Sequence, residues 1–260
     1  MKYISYNKAL DRYFLYISKY SDQIAKYQNM ETGNSGSNIS RSRAIVNLVS
    51  YIENGEDKLV IIEPMCGTGN IARHINNQSE YVYKGYDINP FAIERAKAHN
   101  FGDLETQFCT GDILEPIDNI IEVPINSVCI LSFHALNYFP PDLQLKIISN
   151  ICSNEKIRYL IFDVANIPLT KKKLLIYIKN STIFTSLPSL NIELNNHIEG
   201  ELGISSTNYC IGLNGAHRYY STLWNTNNDL LESTLTSYNY YLNIKTETFD
   251  SNLYLFERKV

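Results

Sequence analysis

The sequence predicts an α/β fold, built on a doubly wound, mostly parallel sheet of seven strands. Three observations predict it. Between residues 58 and 166, short apolar runs alternate with helix-length segments, the pattern of a parallel sheet covered on both faces. The first of these runs leads directly into a glycine turn and a helix. The last two apolar runs follow one another as a hairpin-like pair that completes the sheet.

Taken in order, residues 4–28 are predicted helical, because Ile4, Leu10, Tyr13, Phe14, Ile17, Ile24 and Tyr27 recur at roughly helical spacing. GNSGSN at 33–38 reads as a loop. Ser40 is placed to cap a helix through about Glu53, with Ile45, Leu48, Val49 and Ile52 on one face and Gly55 beyond its end. KLVIIE is then the first strand and GNIARHINN the helix after it. YVYKGYDI is the second strand, followed by the helix NPFAIERAKAHN, with Pro90 near its first turn and Gly102 past its end. TQFCTGDI and NSVCILSF are the third and fourth strands, PPDLQLKIISNICSN a second proline-opened helix, and IRYLIFDVAN the fifth strand.

After Asn166 the alternation stops. The stretch from Ser181 to Thr226 carries short polar–apolar alternations and several turn signals, which predict an antiparallel insertion after strand five, lying over the carboxyl edge of the sheet. NDLLESTLTSYN reads as a helix, and YYLNIKTETF and NLYLFERKV as the closing strands. The expected organisation is an N-terminal helical lid over 1–40 and an α/β core over 41–166. An inserted antiparallel roof and substrate region follows over 167–225, with the final helix and closing strands of the core over 226–260.

Composition narrows the function. Hydrophobic residues make up 44% of the chain and charged residues 19%, enough for a substantial core and too apolar for disorder. The formal net charge is −4 and the only basic run is Lys171-Lys172-Lys173, whereas a duplex-DNA binder presents a basic face. Nucleic acid is therefore not an expected partner. The five cysteines, at 66, 109, 129, 152 and 210, include no C-x-x-C pair, so buried thiols in a reducing compartment are expected, with neither a disulfide framework nor a metal site. The N-terminus lacks a long apolar stretch and no apolar run reaches membrane-spanning length, so the expectation is a cytoplasmic protein with no membrane contact. The 20 tyrosines accompany abundant Asn, Ile and Lys, a mixture that an A/T-rich coding bias produces without functional cause.

The chemistry concentrates at the first turn. In an open parallel sheet, ligands bind at the carboxyl ends of the strands, and Gly67-Thr68-Gly69 lets backbone approach a ligand closely. Two ligand classes use such a turn. G-x-G-x-x-A from Gly67 to Ala72 satisfies a relaxed dinucleotide fingerprint. S-adenosylmethionine (SAM) is the other, with a cationic amino group and sulfonium and no pyrophosphate. Glu63 stands four residues before Gly67, where a carboxylate favours the cation and repels a pyrophosphate. Asp87 ends the second strand, in reach of both ribose hydroxyls of either ligand. Asp112 in TGDI ends the third, where an adenine amino group lies in the SAM arrangement, with Ile88 and Ile113 placed to sandwich the ring. Each acid also has a plain reading: Glu63 and Asp87 as helix caps, Asp112 as turn chemistry.

EPMCGTGN, YKGYDINPFAIERAKAH, CTGDILEP and ILSFHALNYF, in that order, resemble the class I SAM-dependent methyltransferases over roughly residues 40–166. Against the family's commonest first motif, Pro64 follows the acid, Cys66 replaces the first glycine and Asn70 stands at a third. Similar EPMCG variants resemble the small-molecule branch. The resemblance implies a Rossmann-like methyltransferase fold and SAM as cofactor, with S-adenosylhomocysteine as its product. It also implies cofactor contacts from Glu63, Met65, Gly67, Gly69, Asp87, Ile88, Asp112, Ile113, Ser132 and Phe133. Arg41 and Arg43 precede the sheet on a helix; Arg43 is the candidate for the SAM carboxylate, against an ordinary solvated arginine.

Methyl transfer from a sulfonium is an in-line displacement, so the protein's task is to align the acceptor and exclude water. The expected reaction is transfer to a nitrogen or oxygen of a small-molecule acceptor. His134, just beyond the fourth strand, is the candidate base, against a stacking or capping role. Tyr138 and Asn137 follow in the same loop, Tyr138 as a catalytic candidate and Asn137 to orient the acceptor. Arg218 and Tyr220 in the insertion and Tyr20 in the N-terminal lid are candidate substrate contacts. The alternatives are a protein methyltransferase, a non-catalytic SAM-binding interaction protein, and an NAD-linked oxidoreductase. The oligomeric state is left open, a homodimer included.

Overall fold

The computed structural model describes residues 36–52, 58–75, 79–132, 135–139, 141–165, 192–199, 204–213, 217–224, 226, 228–247 and 251–259. The helix expected over 4–28, with Tyr20, lies outside them, as do Phe133 and His134. The chain orders its elements as α1 (Gly36–Ser50), β1 (Leu59–Pro64), α2 (Asn70–His74), β2 (Tyr81–Asp87), α3 (Pro90–Ala98), β3 (Glu105–Thr110) and β4 (Ser127–Leu131). There follow α4 (Pro141–Cys152), β5 (Ile157–Ala165), β6 (Ile192–Glu199), β7 (Ile204–Leu213), β8 (His217–Trp224), α5 (Asn228–Ser237), β9 (Tyr240–Glu247) and β10 (Ser251–Arg258).

The main sheet has seven strands in the order β3-β2-β1-β4-β5-β10-β9. β1 to β5 pair in parallel, and β10 runs antiparallel between β5 and β9. The strand order reverses between β1 and β4, the crevice where open α/β sheets take their ligands. The predicted closing pair is therefore a hairpin at the far edge. The predicted insertion forms a separate antiparallel sheet, β6-β7-β8.

The strands alternate their side chains between two cores. Ile61 points into a cluster with Ile45, Leu48 and Val49 of α1, Ile71 and Ala72 of α2, and Ile93 and Ala96 of α3. Ile62, the next residue, enters the opposite cluster with Ile147, Ile148 and Ile151 of α4 and Leu231 and Leu235 of α5. This two-residue period on a sheet covered on both sides is why β1 reads as an unbroken apolar run. Each fully buried aliphatic side chain contributes roughly 1.5–3 kcal/mol.

Local departures have local causes. α1 begins at Gly36, so part of the predicted 33–38 loop is helical and Ser40 lies inside the helix instead of capping it. The helix thus crosses the expected boundary at residue 40. α2 ends at His74, short of the predicted Asn77. α3 matches its signals: the Asn89 side chain accepts the N–H groups of Phe91 and Ala92, Pro90 opens the first turn, and Gly102 follows with φ +63°. Arg41 is buried, contrary to the expectation of a solvated arginine: its Nε lies 3.2 Å from Oδ2 of Asp163 on β5. Helix α1 is thereby tied to the sheet by a buried ion pair. Cys129 and Cys152 are buried free thiols, as expected, while Cys109 is half-buried. Among the described residues no helix is long and apolar enough to cross a membrane.

Candidate functional site

Three acids follow one another along the carboxyl edge of three adjacent strands. Glu63 is the penultimate residue of β1, Asp87 the last of β2, and Asp112 stands two residues past β3. Strand register puts Glu63 beside Gly85 and Asp87 beside Thr110.

The turn after β1 is built to press against β2. Met65, Gly67 and Gly69 take positive φ values of 57°, 54° and 79°. Gly69 N–H donates to the Cys66 carbonyl at 2.9 Å, and Cys66 N–H to that of Tyr86 at 3.1 Å. A Cβ on Gly69 would stand 3.1 Å from Phe108 and 3.2 Å from Phe101, so both its conformation and its surroundings demand glycine. A Cβ on Gly67 would meet nothing within 4 Å, so the turn faces open space there. Cys66, where the commonest motif has glycine, is accommodated by Gly85: a Cβ on Gly85 would come within 2.8 Å of Cys66 Sγ.

Asp87 fastens two turns together. Its Oδ2 accepts the Gly67 N–H at 2.9 Å and its Oδ1 accepts the Asn89 N–H at 2.9 Å. Burial raises its pKa above the ordinary value, and these two bonds oppose that shift. Asn89, not Asp87, caps α3. Each oxygen of Asp87 keeps a second lone pair, which leaves room for a pair of vicinal hydroxyls.

Glu63 is 1% exposed. Tyr83 Oη donates to its Oε2 and Ser132 Oγ to its Oε1. Ser132 stands one residue beyond β4, so this bond spans the β1/β4 switch point. Burial pushes the Glu63 pKa up to about 8; the bonds from Ser132 and Tyr83 pull it down, and the charge of Asp87 pushes it up again. Desolvation wins, and Glu63 holds a proton at neutral pH. Its bonds also exclude the helix-cap alternative, since Gly69 is the N-cap of α2 and uses no side chain.

Asp112 is half-buried, and its Oδ1 accepts the Leu114 N–H at 2.9 Å. The expected turn chemistry is thus present, with acceptor capacity to spare. Of the two isoleucines placed to flank a ring, Ile88 is half-buried while Ile113 is 4% exposed within the core. Met65 is half-buried beside the turn. Arg43 lies on the exposed face of α1, and it is Arg41 that turns inward.

Beyond β4, Ala135–Tyr138 form a 3-10 turn. Asn137 is fully buried, and its Nδ2 donates to Thr226 Oγ1 at 3.4 Å. β8 lies against this turn. The antiparallel sheet therefore meets the core at the carboxyl end of β4. Arg218 and Tyr220 stand two residues apart on β8, opposite Gly212 and Cys210 of β7. The base candidate His134 falls outside the described residues, and for Tyr138 only the backbone is described.

Tyr83 is the main residue of this cluster missed by sequence reasoning. Its signal is the period of two along β2: Tyr83, Gly85 and Asp87 share one face, and of the three only Asp87 is a candidate from the sequence.

No family model and no curated protein matches the sequence. Solved structures match the fold. One is magnesium protoporphyrin IX methyltransferase from Synechocystis with bound S-adenosylhomocysteine: TM-score 0.59, 14% identity, 95% of this chain and 99% of that one covered. A SAM-dependent methyltransferase from Clostridium acetobutylicum gives 0.56, 14%, 95% and 98%. The SAM-bound amino pentose methyltransferase CalS10 from Micromonospora echinaspora gives 0.57, 10%, 90% and 96%. The chain thus has the Rossmann-like fold that these methyltransferases share.

Proposed function

We propose that this protein binds SAM along its acidic rim and transfers the methyl group to a nitrogen or oxygen of a small-molecule acceptor. The observation that carries the reading is Asp87, which is locked to the Gly67 N–H at 2.9 Å beside a turn that opens onto free space. The residues fit the cofactor. Asp87 accepts the ribose hydroxyls, Gly67 and Gly69 let the backbone approach, and Asp112 accepts from the adenine amino group with Ile88 against the ring. Glu63, beneath the turn, supplies negative charge for the amino and sulfonium cations. When bound, SAM supplies an electrophilic methyl group and a neutral thioether leaving group, so the protein needs no covalent intermediate.

The chain's own part is positioning and proton handling. Asn137 and Tyr138, in the turn after β4, are the proposed groups for orienting the acceptor and for catalysis, and Asn137 is held by Thr226 at 3.4 Å. His134 is the proposed base, because it follows Ser132 at the end of the strand that borders the switch point. In this reading the β6-β7-β8 sheet roofs this side and excludes water from the transfer, and Arg218 and Tyr220 of β8 are the proposed acceptor contacts. The acceptor class is supported by neighbours of the same fold whose substrates are a porphyrin and an amino pentose.

The test is a methyl-transfer assay with labelled SAM across a metabolite library, paired with His134→Ala. Transfer to a small molecule that falls steeply in the variant, with SAM affinity retained, is the expected result. Transfer only to protein, or none at all, rejects the acceptor class.

A further inference from the structure

We infer that Tyr83 and Ser132 are positioning residues that hold Glu63 as the charge-reading group of the cofactor site, so that a cationic ligand binds with release of the Glu63 proton to solvent. This rests on the SAM reading above and deepens it. The geometry is specific. Two hydroxyls from two different strands engage the two oxygens of one carboxyl group across the switch point. Both are buried, Tyr83 at 0% and Ser132 at 4% exposure. Neither partner carries a charge that could neutralise an ionised Glu63.

Of the neighbouring titratable groups, Asp87 acts on Glu63 through its charge, while Tyr83, Cys66 and Cys129 feel the charge of Glu63. Asp87 and Tyr83 lie on β2, Cys66 in the turn, and Cys129 on β4. None of them is a cation. Burial and the neighbouring Asp87 therefore hold the proton in place, with the pKa pushed up to about 8. An incoming ammonium and sulfonium reverse that balance, because an opposite charge favours the ionised form. The exchange balances: a protonated Glu63 and a cationic ligand give an ion-paired complex and one free proton. A pyrophosphate ligand would do the reverse and hold the proton on. Tyr83 and Ser132 set the midpoint, since each donates to the ionised form and lowers the pKa.

The experiment is calorimetric titration of the full chain with SAM from pH 6.5 to 8.5, in buffers of differing ionisation enthalpy. It is run on wild type, Glu63→Gln, Tyr83→Phe and Ser132→Ala. The ligand's own α-amino group titrates in this range, so the quantity read is the ratio of wild-type to Glu63→Gln affinity. That ratio is expected to rise about tenfold across the range, with a proton released in wild type beyond any released in Glu63→Gln. Tyr83→Phe and Ser132→Ala are expected to bind with the midpoint moved to higher pH, a shift that loss of packing alone does not produce. A flat ratio with SAM still bound overturns the inference and leaves the SAM reading standing. An unmoved midpoint in both hydroxyl variants removes their positioning role. No SAM binding by folded wild type at any pH overturns the SAM reading itself, and the inference with it.

Discussion

Two buried carboxyl groups flank β4, and they are neutralised in different ways. Asp163 on β5 and Glu63 on β1 are each 1% exposed. Asp163 has a resident cation, the Arg41 guanidinium 3.2 Å away. Glu63 has two hydroxyls and, at neutral pH, its own proton. The first arrangement is complete without a ligand and fastens α1 to the sheet. The second has no resident cation, so burial favours its protonated form while the two donated hydrogen bonds favour the ionised one. Two equally buried carboxyl groups thus differ in how their charge is compensated.

The comparison is broken most strongly at Asp163. Arg41→Met should remove the guanidinium paired with that buried carboxylate and destabilise the fold by about 3–5 kcal/mol, measured by denaturant unfolding. Replacing both partners, Arg41→Met with Asp163→Leu, should recover most of the loss. If the single change costs under about 1 kcal/mol, the pair does not fasten the helix.

The proton on Glu63 gives the next largest effect. Its folded pKa, about 8, exceeds the ordinary 4.5, so between those values the folded state holds a proton that the unfolded state has lost. Stability of the ligand-free protein from this group therefore falls as pH rises from about 5 to 8, on the order of 2–4 kcal/mol. Asp87, also raised by burial, adds in the same direction. Thermal melts of Glu63→Gln should show a shallower fall than wild type. Parallel pH curves would mean that Glu63 is already ionised when free of ligand.

The two glycines sharpen the contrast at the smaller end. Gly69→Ala combines φ +79° with contacts of 3.1 and 3.2 Å to two aromatic rings, and should cost about 2 kcal/mol in unfolding experiments. Gly67→Ala meets no neighbour within 4 Å and should cost about 1 kcal/mol. Its larger effect should be on SAM affinity, because the methyl group occupies the space the turn leaves open. Equal stability losses would show that backbone strain alone sets the cost and that the rings around Gly69 give way.

What could be read beforehand follows from what each feature depends on. The sheet, its doubly wound core and the three acids were legible because strand periodicity and glycine turns are local, and Glu63, Asp87 and Asp112 all sit at strand ends. The antiparallel insertion was legible as a change of pattern. Partnerships between distant residues were not. Arg41 reads as an ordinary helix-surface arginine until strand order brings Asp163, over a hundred positions away, beneath it. Tyr83 reads as packing until register sets β2 against β1. The start of α1 was missed because the glycines at 33 and 36 outweighed the helical pattern that begins beside them. Arg43 was the nominated arginine, yet it sits on the outer face of the same helix, two positions from the residue that turns inward.

The central claim is that the rim at the ends of β1, β2 and β3 grips a cationic nucleoside, and Asp87 is its most direct handle. The decisive measurement is calorimetric titration of wild type and Asp87→Asn with SAM at pH 7.5, with folding checked by circular dichroism. The account predicts one SAM per wild-type chain and an affinity at least about tenfold weaker in the variant, the loss expected when a charge-assisted acceptor becomes a neutral amide. Equal affinities in two folded proteins would contradict it.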